Sequence, residues 1–145
     1  MSKQKKDKFK VRTNRKGLAL KGYDPVAYFT TGAPAEGSED LAYEWSGAEW
    51  RFSTSKHREL FIQDPTKYAP QFGGSCAVAS ATGHSIVSGS PKYWRIENGH
   101  LYLNKDPFAS ALHKPLSSRI HRLSAQVRRE QGVVDEEPIL EAARG

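Results

Sequence analysis

Apolar positions along this chain recur with two different periods, and the change of period marks its elements. Tyr43 and Trp45 alternate with polar residues on one side of Ser46-Gly47, and Ala48, Trp50 and Phe52 alternate on the other. Period two around a tight glycine turn predicts a β-hairpin with one buried face. A second hairpin is predicted where Asn98-Gly99 separates Tyr93-Trp94-Arg95-Ile96 from Leu101-Tyr102-Leu103. Further on the period becomes helical. Leu116, Ile120, Leu123 and Val127 form one apolar stripe, which predicts a helix from about Ser117 to Glu130 that Gly132 ends.

Shorter elements follow from local chemistry. Leu18 to Leu20 reads as a short strand leading into a turn at Gly22. Asp24 is placed to cap a short helix with Pro25 in its first turn, pointing Val26, Tyr28 and Phe29 inward. Residues 30–40 are a Gly- and Pro-rich loop. Ser53 or Thr54 caps TSKHRELFIQD, in which His57 shares the apolar face of Leu60 and Phe61, and Asp64-Pro65 ends it. Asp106-Pro107 opens a helix over PFASALH, and DEEPILEAARG offers a final short helix or a frayed tail. The sum is an α+β fold: a small antiparallel sheet from two β-hairpins, covered by short helices, with an added C-terminal amphipathic helix.

At 145 residues and 37% hydrophobic content there is room for one domain. Charge divides the chain unevenly. Residues 1–16 hold eight Lys/Arg against Asp7, a net +7, which leaves −1 for the rest of a chain whose total is +6. We therefore read residues 1–16 as a disordered basic arm, 17–112 as the folded domain and 113–145 as a C-terminal helical extension. Such an arm attracts nucleic acid or an acidic partner, or serves only as a solubilising segment. No aromatics interleave its lysines, which argues against base stacking. The stripe on the terminal helix packs on its own core or on a second subunit, the latter giving a homodimer. No apolar run approaches the ~20 residues of a membrane span, and none follows the N-terminal charges, so the expected location is cytoplasmic.

The candidate chemistry centres on Cys76, the one cysteine, just after Gly73-Gly74. A single cysteine excludes an internal disulfide. In the first turn of a small-residue helix, SCAVASAT, unpaired N–H groups favour a thiolate; the same residue is also accounted for as a small buried hydrophobe. His84 follows eight positions later, about 12 Å away if the helix runs unbroken, so only a reversal at Gly83 can bring the two together. His57 is a packed histidine or a ligand. His100, beside its turn, and His121, off the apolar stripe, read as solvated. The chain has no CxxC pair, HExxH, phosphate-binding glycine loop or distinctive Ser/His/Asp set.

Four stretches occur in one order: LALKGYDPVAYF, the aromatic hairpin before a Ser/Thr-capped helix, DPTKYAPQFGGSCA and the hairpin from Trp94 to Asn104. Together they resemble the YHS-domain family, in the branch of small proteins carrying a GYDPVAYF motif. The resemblance covers roughly Gly17 to Asn104. It implies heavy-metal binding, with the family cysteine at Cys76 and a Gly-His histidine at His84; the family's Gly-Tyr-Cys is here Gly74-Ser75-Cys76.

Three functions follow as expectations. The first is a non-catalytic metal-binding protein using Cys76 and His84, with a third ligand from His57, an acid such as Asp24 or a second subunit; thiolate and imidazole suit Cu(I) or Zn(II). The second is a thiol redox sensor or enzyme with Cys76 as nucleophile. The third is an interaction module whose basic arm holds nucleic acid or an acidic partner. The first is the principal expectation.

Overall fold

The computed structural model describes residues 10–84 and 87–133. In chain order its elements are α1 (Ala27–Thr30), β1 (Ser38–Trp45), β2 (Ala48–Phe52), α2 (Ser55–Gln63), α3 (Pro65–Tyr68), α4 (Ala77–Ala81), β3 (Ser90–Glu97), β4 (His100–Asn104), α5 (Pro107–His113) and α6 (Ser117–Glu130), with 3-10 turns at Leu20–Gly22 and Gln71–Gly74. This is a small α+β fold.

Both hairpins form at the expected turns. Ser46 and Gly47 have φ of 53° and 77°, and Asn98 and Gly99 have 54° and 77°, so both central residues of each turn are left-handed, as a type I′ turn requires. The closing pairs are Trp45 with Ala48 and Glu97 with His100. A register shift interrupts each ladder, between Ser38 and Ala42 in β1 and between Ser90 and Trp94 in β3. Each hairpin remains its own two-stranded sheet, so the one sheet expected resolves into two. The strand expected at Leu18 to Leu20 shrinks to single bridges at Leu18 and Ala19, because Leu20 and Lys21 turn left-handed (φ 54° and 53°) and the chain leaves the edge of β2.

Burial explains the arrangement. Phe61 on α2 is fully buried at the centre of an aromatic group, with the rings of Trp50, Phe52 and Trp45 at 4.9, 5.2 and 5.7 Å. β4 is buried from Leu101 to Asn104. Leu101 and Leu103 join Leu20 and Tyr28 in one cluster, whereas Tyr102 packs with Phe72, Ala77, Ile120 and Val127 in another. With period two along the strand, Asn104 shares the face of Tyr102. That face carries the polar network described below.

α6 runs over the residues its stripe predicted and ends in a Schellman motif: Gly132 N–H donates to Arg129 O and Val133 N–H to Arg128 O. Ile120 and Val127 are buried and Leu116 and Leu123 partly so, all against the chain's own core. The stripe is thus occupied within the chain, which removes the reason for a homodimer through this helix, and residues 113–130 share the core of the preceding domain. The basic arm is also shorter than read. Val11 packs on the aromatic cluster, Arg12 N–H donates to Gly73 O at 2.8 Å, and Arg12 Nε donates to Ser75 Oγ at 2.7 Å. Residues 10–16 therefore dock on the domain; residues 1–9, and the short helix or tail expected after Val133, lie outside the described residues.

Candidate functional site

Cys76 is the N-cap residue of α4, but its side chain points into the core and is fully buried. Its thiol donates to Asn104 Oδ1 at 3.6 Å. Gly83 does reverse the chain: His84 N–H donates to Ala79 O, Gly83 N–H to Ser80 O, and Cys76 N–H reaches Val87 O at 2.8 Å on the returning segment. His84 itself stays exposed at the outer end of that reversal, with Nδ1 3.5 Å from Thr82 Oγ1. Close packing explains the return path. A Cβ on Gly89 would come within 2.6 Å of Leu103 Cβ and 2.9 Å of Gly74 O.

His57 belongs to a different cluster, organised by Asp24. The fully buried Asp24 carboxylate accepts from the amides of Val26 (2.8 Å) and Ala27 (3.2 Å) through Oδ1. Through Oδ2 it accepts from Ser53 N–H (2.8 Å), Ser53 Oγ (2.7 Å) and His57 Nδ1 (2.7 Å). This one side chain therefore caps α1 and fixes the entry to α2, where Thr54 Oγ1 accepts from His57 N–H as the expected cap. Since a carboxylate only accepts, His57 Nδ1 carries a proton, and Nε2 lies 2.9 Å from Thr30 Oγ1, whose hydroxyl also reaches Val26 O at 3.3 Å. Carboxylate, imidazole and hydroxyl stand in a row as in a hydrolase triad. The amides of Thr30, Thr31 and Gly32, however, all donate to carbonyls of Val26 and Ala27, so these three are committed to the helix end rather than to an oxyanion. The cluster is a clamp joining α1, β2 and α2.

Among the described residues, the groups of three or more His, Cys, Asp and Glu that converge on one point reduce to Glu97, His113 and His121, with one ligand atom from each within 4.8 Å of the others. Cys76, His84 and His57 are all outside it, so the structure does not bring the three expected ligands together. Glu97 ends β3, and its Oε1 accepts from His113 Nε2 at 3.1 Å and His121 Nε2 at 2.7 Å. His113 closes α5 and is fully buried. His121, expected to be solvated, instead stacks near Tyr102 at 5.6 Å with its side chain 29% exposed, because the tip of the second hairpin folds over α6. His100 is likewise half-buried rather than exposed.

One backbone amide sets the protonation of this network. Val78 N–H donates to Asn104 Oδ1 at 3.1 Å, and the Cys76 thiol points at the same oxygen. Asn104 Nδ2 therefore faces His113 Nδ1, 3.0 Å away, and donates to it. His113 Nδ1 has to accept, which leaves the ring neutral with its proton on Nε2, directed at Glu97. Burial pushes the His113 pKa down, partly offset by Glu97. For Glu97, burial raises the carboxyl, but the hydrogen bonds from His121 and His113 outweigh it and hold its pKa below the ordinary range. A continuous chain of contacts thus runs from the Cys76 thiol through Asn104 and His113 to Glu97 and His121.

Sequence reasoning missed this group. Glu97 is local to a recognisable turn, but His113 and His121 lie on consecutive helices separated by Pro115, at no ligand spacing. The usable signal was His121 immediately following the buried Ile120. Among the described residues no helix is long and apolar enough to cross a membrane. Compared with known proteins, the chain matches no family model, no curated protein and no solved structure.

Proposed function

We propose that this is a small YHS-like protein that binds a divalent metal ion without catalysing a reaction, and that its ligands are Glu97, His113 and His121 rather than Cys76. The observation that carries the reading is the convergence of two imidazole nitrogens on one carboxylate oxygen. Two histidines and a carboxylate are a donor set suited to Zn(II) or Cu(II); without a thiolate, Cu(I) loses its preferred ligand. An ion here displaces the proton on His113 Nε2, so uptake releases protons and strengthens as pH rises. It also requires Asn104 to turn its oxygen toward His113 Nδ1, giving up the Val78 hydrogen bond at a cost of about 1–3 kcal/mol. That cost is small beside the ~10 kcal/mol or more of a structural zinc site, and it makes the binding weaker and reversible.

The test is a calorimetric titration of the full chain with Zn(II) and Cu(II). One ion per chain is expected, with affinity falling at least tenfold in His121→Asn and in Glu97→Gln, unchanged in Cys76→Ser, and raised in Asn104→Asp, whose carboxylate accepts from His113 Nδ1–H. Unchanged affinity in His121→Asn would overturn the ligand set. Loss of binding in Cys76→Ser alone would restore the cysteine.

A further inference from the structure

A second site lies about two turns further along α6, at its C-terminal end, and it is independent of the metal reading. The chain from Pro70 to Gly74 turns left-handed, with Phe72 at φ 58° and Gly73 at 63°, and this leaves a cleft between the turn, the end of β1 and the last turn of α6. The cavity measures about 370 Å³. That is within the usual range of ligand pockets, roughly 300–1,000 Å³. The apolar part of its walls includes Trp45, Pro70, Phe72, Val127 and Val133, with Thr66 and Gln71 among the neutral polar groups beside them. Among the described residues, its lining holds two cations, Lys10 and Arg128, and no acid. Two other concavities mix both signs: one is lined by Glu39, Glu44 and Glu49 with Arg51, the other by Glu36 with Arg15, Lys16, Lys21 and Arg51.

The charges are placed rather than scattered. Arg128 is held in the wall, with Nη1 donating to Gln71 Oε1 and Ser124 Oγ, each at 2.8 Å. Lys10 is the residue at which the lysine-rich segment (Lys3, Lys5, Lys6 and Lys8) meets the domain. An apolar floor with a cationic rim complements a ligand of inverse design, a large apolar group beside negative charge. We propose that this cleft docks an acidic peptide segment of a partner protein, seating one aromatic or large aliphatic side chain against Trp45 and Phe72, with its flanking carboxylates at Lys10 and Arg128. The long-range charge of the N-terminal lysines raises the encounter rate, and the apolar seat selects among acidic partners.

The probe is a fluorescein-labelled pentapeptide with one phenylalanine between two glutamates on each side, followed by fluorescence polarisation on the full chain. Saturable binding that weakens as salt rises is expected, together with at least tenfold weaker binding of a control peptide with alanine in place of phenylalanine. Lys10→Glu and Val133→Glu, both on the rim, are each expected to weaken binding at least fivefold while leaving the circular dichroism spectrum unchanged. Absence of binding, equal binding of the alanine control, or undiminished binding by both variants overturns the proposal. Displacement of the probe by an equimolar single-stranded oligonucleotide overturns it in favour of nucleic acid. Tighter probe binding by the triple variant Asp135→Asn, Glu136→Gln, Glu137→Gln overturns it in favour of the chain's own acidic stretch as occupant.

Discussion

Replacing Asp24 by asparagine removes one charge and alters the volume hardly at all, so it isolates what the buried carboxylate does. Five donors converge on that carboxylate at 2.7–3.2 Å. In the variant the remaining oxygen keeps the amides of Val26 and Ala27 and continues to cap α1. The new NH2 group occupies the place of Oδ2. It can donate to His57 Nδ1 if the imidazole moves its proton to Nε2, and to Ser53 Oγ. It cannot satisfy the Ser53 N–H, because donor then faces donor. The variant loses one charged hydrogen bond outright, at about 1.5–3 kcal/mol, and the charge assistance of the other four. Relief from burying a charge offsets part of this. The net expectation is about 3 kcal/mol, a large share of the ~5–15 kcal/mol that holds a domain of this size.

The assay is urea unfolding followed by tryptophan fluorescence, with the midpoint lowered and the slope unchanged. A double-mutant cycle with His57→Gln is expected to give a coupling of about 1 kcal/mol or more, since the two side chains are in contact. A loss below ~1 kcal/mol in Asp24→Asn, or a coupling of zero, would refute the clamp.

Gly89→Ala puts a Cβ within 2.6 Å of Leu103 Cβ, and overpacking of this kind is expected to cost about 2 kcal/mol in the same unfolding assay. The His113 and Glu97 pKa values are both held below their ordinary values of 6.5 and 4.5, so the unfolded chain binds more protons. The stability they contribute is therefore present at neutral pH and lost as pH falls, from His113 first and then from Glu97; unfolding midpoints between pH 7.5 and 4 are expected to drop less in His113→Gln than in the parent. Because Cys76 is sealed in the core, iodoacetamide is expected to modify it about a hundredfold or more slowly in the native protein than in urea, at a rate set by opening of the fold. Rapid native alkylation would return Cys76 to the list of reactive thiols.

The two functional readings use different turns of the same helix. His121 points toward the second hairpin, whereas Val127 and Arg128 line the cleft near the N-terminal segment. If both are correct, one ion and one acidic segment can be held at once, and α6 connects them. The Asp24 clamp touches neither ligand set and acts as scaffold, whereas the aromatic cluster around Phe61 reaches the cleft through Trp45.

What the amino-acid sequence determined by itself is whatever its near neighbours decide. Asn98-Gly99 and Ser46-Gly47 make type I′ turns because those residues tolerate positive φ, and no distant contact is needed for that. Asp106 and Thr54 cap their helices with an oxygen three residues from the amide they accept. Gly83 and Gly132 close helices by the same local rule. The α+β class and the extent of α6 follow from these and from hydrophobic period. Tertiary structure alone decided the chemistry. Cys76 carries the marks of a reactive thiol in sequence, yet β4 is wedged between two clusters and brings Asn104 against the sulfur as an acceptor. Glu97, His113 and His121 come from a hairpin tip and two helices whose packing angles no local pattern encodes. Only the folded chain settles which of five histidines meets a carboxylate, because that depends on where buried surfaces close and not on spacing along the chain.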